Sequence, residues 1–144
     1  MSVIVWDGAV VAADMSLNDG RVLVPIEKLW RVGGVVLGGV GSIHDIGAMK
    51  EWVLEGRKPE SYPVVGEHSC FVYVTPERGL IRYTNKPIGI AHGFNKCAFG
   101  TGRDFAYGAL YIGATSVEAV KAACKYGMDC GSGIIAFQVI GEKK

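Results

Sequence analysis

Hydrophobic and polar positions along this chain fall into short blocks divided by turn residues. Residues 2–6 are β-branched or aromatic apart from Ser2, and Ala9-Val10-Val11-Ala12-Ala13 is apolar again. Asp7-Gly8 between these blocks is a hairpin signal, so the pattern predicts an N-terminal hairpin buried on both faces. Asn18-Asp19-Gly20 marks a turn, after which Arg21 to Val24 and Ile26 to Val32 read as two short strands around Pro25, ending at Gly33-Gly34. Val35 to Val40 reads as a buried strand that runs into a glycine-rich turn at Gly41.

The period then changes. Ser42 is placed to cap a helix, Asp45 falls in its first turn, and Ile43, Ile46, Met49, Trp52 and Val53 recur at helical spacing up to a stop at Gly56. The spacing predicts an amphipathic helix of about 12–14 residues. Lys58 to Gly66, with two prolines, reads as loop. Cys70 to Val74, Gly79 to Thr84 and Ile88 to Ala91 then read as strands of a meander that ends near Cys97-Ala98-Phe99. Gly100-Thr101-Gly102 opens a helix from Arg103 to Ile112, stopped by Gly113. A second helix starts with Ser116 as its cap, turns Val117, Val120, Ala123 and Cys124 inward, and fades at Gly127. Ile134 to Ile140 is a last buried strand. This order suits two sheets held between helical layers, an α+β architecture.

Composition narrows the picture. With 144 residues and 49% hydrophobic content, residues 1–144 are expected to form one domain with a substantial core. Fifteen basic residues stand against 14 acidic ones, a formal charge of +1 with no long block of either sign. That balance argues against a dedicated binder of nucleic acid or acidic ligands. The opening Met1-Ser2-Val3-Ile4-Val5-Trp6 meets Asp7 at once and has no basic leader region. Apolar runs elsewhere fall far below the roughly 18 residues of a spanning helix, so a soluble, cytoplasmic protein without membrane contact is expected.

Cys70, Cys97, Cys124 and Cys130 contain no CxxC pair and fit neither a zinc ribbon nor a disulfide framework, so reduced, mostly buried thiols are expected. His44, His68 and His92 have no ligand spacing, and neither a metal nor a cofactor is expected. A phosphate-binding reading of Gly100-Thr101-Gly102 fails because no Lys-Ser/Thr follows. Trp6, Trp30 and Trp52 read as core or subunit-contact residues.

Several local motifs resemble one family in their order along the chain. They are Met1-Ser2-Val3-Ile4 followed by Val11-Ala12-Ala13-Asp14; Glu27-Lys28-Leu29; Gly39-Val40-Gly41-Ser42 leading into the first helix; Phe99-Gly100-Thr101-Gly102 through Phe105 to Leu110; and Met128-Asp129-Cys130-Gly131-Ser132-Gly133. Together they resemble proteasome β-subunits and bacterial HslV, most closely the short proteasome-like proteins of bacteria and phages. The resemblance implies a four-layer α/β/β/α sandwich of the N-terminal-nucleophile hydrolases, with two antiparallel sheets between helical layers. The chain departs from the family pattern in its shorter length, in a single helix between Ser42 and the meander, and in Ser2, preceded by Met1, where the family has Thr.

The resemblance also implies a site. Ser2, once exposed by removal of Met1, would supply both a hydroxyl nucleophile and a free α-amine as base, the amine having an ordinary pKa of about 7.7–8.0. Lys28 matches the family's catalytic lysine and Asp14 its carboxylate partner; from the residues alone the two could equally be a solvated strand-end pair. Gly41 falls where a backbone N–H stabilises the oxyanion, although a glycine in such a turn also reads as structural. Asp129 and Ser132 match the pair near the amine, and Thr101 matches a serine of the same shell, or is a plain helix cap. The activity implied is a peptidase in a self-compartmentalising homo-oligomer, a ring or stacked rings, with a peptide substrate and an unfoldase ATPase as partners. The alternatives are a non-catalytic structural oligomer in which Met1 is retained, and a small-molecule amidase or acylase.

Overall fold

The computed structural model describes residues 3–19, 22–126 and 133–139. Strands β1 (Ile4–Trp6) and β2 (Val10–Asp14) form the predicted hairpin. Its turn is closed by Asp7, whose Oδ1 accepts from the amides of Ala9 at 2.9 Å and Val10 at 2.8 Å. Gly8 has φ +96°, and a Cβ there would lie 2.8 Å from the carbonyl oxygen of Phe94, so both conformation and space call for glycine. Strand β3 (Ser16–Asp19) pairs antiparallel with β4 (Val22–Pro25). The turn expected at Asn18-Asp19 is therefore partly strand, because the cross-strand ladder satisfies backbone groups that local turn chemistry would otherwise occupy.

A second sheet begins with β5 (Leu29–Val32) and β6 (Val35–Val40). Helix α1 (Ile43–Leu54) follows, with Ser42 Oγ accepting from the His44 amide at 3.2 Å and Gly56 ending it at φ +104°. Its buried residues are Ile46, Met49 and Trp52, while Ile43, expected on that face, is largely exposed. A single 3₁₀ turn (Pro59–Ser61) interrupts the loop that leads to β7 (Cys70–Thr75), β8 (Gly79–Tyr83) and β9 (Ile90–Gly93).

Strand β10 (Cys97–Phe99) does not end this meander. It crosses to the first sheet and pairs with β1, Ile4 opposite Phe99. Helices α2 (Arg103–Tyr111) and α3 (Ser116–Tyr126) and strand β11 (Ile134–Gln138) complete the order. The cap of α3 is Thr115 and not Ser116. Thr115 Oγ1 accepts from the Glu118 amide at 3.2 Å and Glu118 Oε1 accepts from the Thr115 amide at 2.9 Å, a reciprocal capping box. Ser116 lies one residue inside, where its amide donates to Asp7 Oδ2 at 2.9 Å and ties α3 to the first hairpin.

The sheets have strand orders β10-β1-β2-β11 and β5-β6-β7-β8-β9. Three apolar clusters define four layers. Ile4, Trp6, Val11 and Ala13 of the first sheet meet Leu29, Val36, Val72 and Leu80 of the second between the sheets. Val3, Val5 and Ala12 pack outward against Ala106, Leu110, Val120 and Ala123 of α2 and α3. Leu37, Phe71 and Ile81 pack on the other side against Ile46, Met49 and Trp52 of α1. The result is the expected α/β/β/α sandwich, whose central strands bury both faces and therefore show apolar runs in place of alternation. The edge strand β11, expected to be buried, is only half-buried to exposed, as is β9, since each stands at an edge of its sheet. Among the described cysteines, Cys70 and Cys97 are free thiols, but Cys124 is disulfide-bonded, which corrects the expectation of a reduced thiol there. Cysteine spacing alone does not encode which chain segments the fold brings together. Cys130 lies outside the described residues.

Candidate active site

Asp14 ends β2 and is fully buried, and Lys28, in the loop before β5, is only 4% exposed. Lys28 Nζ donates to Asp14 Oδ2 at 2.8 Å, and the same oxygen accepts from the Ser16 amide at 3.2 Å. The other oxygen, Oδ1, accepts from the Val3 amide at 2.9 Å. The pair is thus a buried junction and not a solvated strand-end contact. Burial lowers the Lys28 pKa, while the hydrogen bond and charge of Asp14 act in the opposite sense. One carboxylate thereby fixes Val3 just ahead of β1, the start of β3 and a buried ammonium.

Two further backbone links converge on the same end of β2. Asp14 pairs with Ile134 of β11, and the Met15 amide donates to the Gly133 carbonyl at 3.0 Å. The Lys28 carbonyl accepts from the Gly39 amide at 3.1 Å, which binds the lysine loop to β6. Val3 follows Ser2 in sequence and Gly133 follows Ser132; Ser2, Asp129 and Ser132 themselves lie outside the described residues.

Gly41 follows β6 with φ +117°, and a Cβ there would lie 2.6 Å from Ser69 Oγ and 2.9 Å from Ser69 Cα. A side chain is excluded on both counts. Ser69 is held in turn by Asp45 of α1, whose Oδ2 accepts from Ser69 Oγ at 2.6 Å and from the Gly66 amide at 3.1 Å. The Ser69 hydrogen bond, with that of Gly66, keeps the Asp45 carboxyl below its ordinary pKa. Asp45 thus does more than favour the N-terminus of α1, since it sets the wall behind Gly41.

Gly41 and Thr101 line one cavity of about 810 Å³, which also takes in Arg82, His92, Phe99 and Arg103. The cavity lies where β6 and β10 end and α2 begins, close to Val3: a Cβ on Gly102 would come 3.2 Å from the Val3 Cβ. Thr101 is not the α2 cap, because Gly102 occupies that position with no side-chain cap bond. The structure therefore brings Asp14 and Lys28 together, and sets Gly41 and Thr101 on a shared cavity. The motif reading missed the cationic residues of that cavity, which have no common spacing in sequence. Among the described residues no cluster of three His, Cys, Asp or Glu is arranged to hold a metal ion, and no helix is long and apolar enough to cross a membrane.

No protein-family model matches the sequence, and no curated protein matches it. Solved structures do match. BPH from Thiobacillus denitrificans, in complex with epoxomicin, superposes with a TM-score of 0.72 at 17% identity, covering 99% of this chain and 100% of its own. An Anbu mutant from a Hyphomicrobium species gives 0.75 at 16% identity over 96% of this chain and 81% of its own. Eukaryotic HslV from Trypanosoma brucei gives 0.66 at 17% identity over 96% and 98%. The fold is that of HslV and proteasome-like proteins.

Proposed function

We propose that this chain is an N-terminal-nucleophile peptidase, working in a homo-oligomer that encloses its active sites. The observation that carries the reading is the buried Asp14–Lys28 pair, whose carboxylate also grips the Val3 amide. A lysine buried against a carboxylate beside the start of β1 is chemically suited to favour ionisation of a hydroxyl on the preceding residue. In this reading Ser2 Oγ attacks the amide carbonyl carbon and its proton passes to the Ser2 α-amine. The Gly41 N–H receives the developing oxyanion. The C–N bond breaks as the leaving amine takes the proton, leaving an ester on Ser2, and water then releases the acid and regenerates the hydroxyl. Asp129, Ser132 and Thr101 orient the amine and the water by hydrogen bonds.

The chemistry requires Ser2 to carry a free amine, so whatever precedes it must be removed. A peptide substrate, a cytoplasmic setting and a ring-shaped assembly fed by an ATP-driven unfoldase follow from the same reading. Residues 1–144 act as one domain. Epoxomicin, which is bound by the BPH neighbour, is the direct probe. Protein from its native host whose intact mass begins at Ser2 is expected to gain one epoxomicin per chain, and Ser2→Ala is expected to abolish labelling. A mass that retains Met1, or a processed protein that stays unlabelled, would favour the non-catalytic oligomer.

A further inference from the structure

Two arginines line the cavity beside Gly41, Arg82 on β8 and Arg103 at the start of α2, and among the described residues neither is paired with a carboxylate. Arg82 Nε is buried without a hydrogen-bond partner, and so is His92 Nε2 on the neighbouring strand β9. An unpartnered buried Nε–H such as that of Arg82 is costly and uncommon and calls for an acceptor, and His92 Nε2 is a second unpartnered polar atom on the same wall. Arg82 does have a structural contact, its guanidinium lying 5.6 Å from the Phe99 ring. That contact supplies no acceptor for Nε. Arg103 spends one nitrogen on the Gly100 carbonyl at 3.1 Å and keeps its other donors. Among the described residues of the wall, Glu67 is acidic, is largely exposed and lies 3.6 Å from the still more exposed His68.

We propose that this cavity is an anion subsite that anchors a carboxylate of the peptide substrate through Arg82, with Arg103 as the second cation. The carboxylate would come from an Asp or Glu side chain or from a free C-terminus. A planar guanidinium pairs with such a group through two parallel N–H···O bonds, and its partial burial strengthens them by excluding water. A volume of about 810 Å³ accommodates more than one residue of a peptide. The subsite rests on the peptidase reading for its substrate, but its binding can be measured without turnover.

The test uses full-length protein carrying Ser2→Ala and fluorescein-labelled alanine peptides. One pair differs by a central Glu or Gln, and a second pair by a C-terminal acid or amide. Fluorescence anisotropy is expected to show at least one acidic peptide binding about tenfold tighter than its neutral twin. The Glu/Gln arm distinguishes a side-chain carboxylate from the C-terminal carboxylate read by the other arm. Arg82→Gln is expected to remove the preference. Because Arg82 is partly buried, Arg103→Gln serves as an exposed second variant expected to reduce it about threefold. Near-UV circular dichroism checks the fold of each. Equal affinities within both pairs, no binding by any peptide, or a preference unchanged in both folded arginine variants would overturn the subsite. Charge discrimination by a processed wild-type protein that never hydrolyses peptide would instead sink the peptidase reading alone.

Discussion

Lys28 illustrates what burial does to a single residue. Its ammonium is withdrawn from water and matched by Asp14 at 2.8 Å, so replacing it by Met would leave a buried carboxylate without its counter-charge. Lys28→Met is expected to cost about 3–5 kcal/mol, read from the urea midpoint, and to abolish epoxomicin labelling of Ser2. Gly41 is constrained differently, by its φ of +117° and by the nearness of Ser69. Gly41→Ala is expected to destabilise by about 1–3 kcal/mol through backbone strain, with activity falling further as the N–H is displaced. The pairing of Asp14 with Lys28 was legible as a sequence match, but its burial was not, because nothing in either segment says that the two will be enclosed by a third. Arg82 was not legible at all. Its strand carries no signal that sets it apart, and its surroundings depend on β10 of the facing sheet, whose Phe99 lies against its guanidinium.

At the scale of elements, strands and helices followed closely from periodicity, and the errors fell at their junctions. α1 lies where Ser42 and the apolar spacing put it, because a cap and a stripe are both local signals. The start of α3 was misplaced by one residue although Thr115-x-x-Glu118 is a capping-box pattern already present in the sequence; the hydrogen bond from the Ser116 amide to Asp7 adds a tie that only the fold supplies. Thr115→Ala is expected to lose about 1 kcal/mol of stability in thermal or urea unfolding. Asp7 serves two elements, accepting from Ala9 and Val10 in the hairpin and from Ser116 in the helix. Burial tends to raise its pKa, but these hydrogen bonds prevail and hold it below the ordinary 3.8. A carboxyl depressed in the folded state contributes stability above its unfolded pKa and loses it as pH falls through the folded value. Asp7→Asn is therefore expected to be less stable than wild type by about 1 kcal/mol at neutral pH, screening included, and the gap should narrow in urea titrations as pH falls below the ordinary carboxylate range.

For the whole molecule, the exposed end of α2 bears on assembly. Tyr111 and Ile112 at the end of α2 are 91% and 83% exposed, with Phe105 and Tyr126 also uncovered and stacked nearby. An apolar patch of this kind suits a contact with a second copy. Light scattering is expected to give a multiple of the 15.4 kDa chain, and Tyr111→Glu combined with Ile112→Glu is expected to yield a folded monomer. A wild-type monomer would count against the enclosed-oligomer reading. The sandwich itself was implicit in the sequence, since two-sided burial writes apolar runs into strands and a single apolar stripe into helices. The crossing of β10 to the first sheet, the disulfide at Cys124 and the gathering of Arg82, Arg103 and His92 around one cavity were decided only in three dimensions. Periodicity records which face of an element leaves water. It carries no record of which distant element, or which charge, arrives on that face.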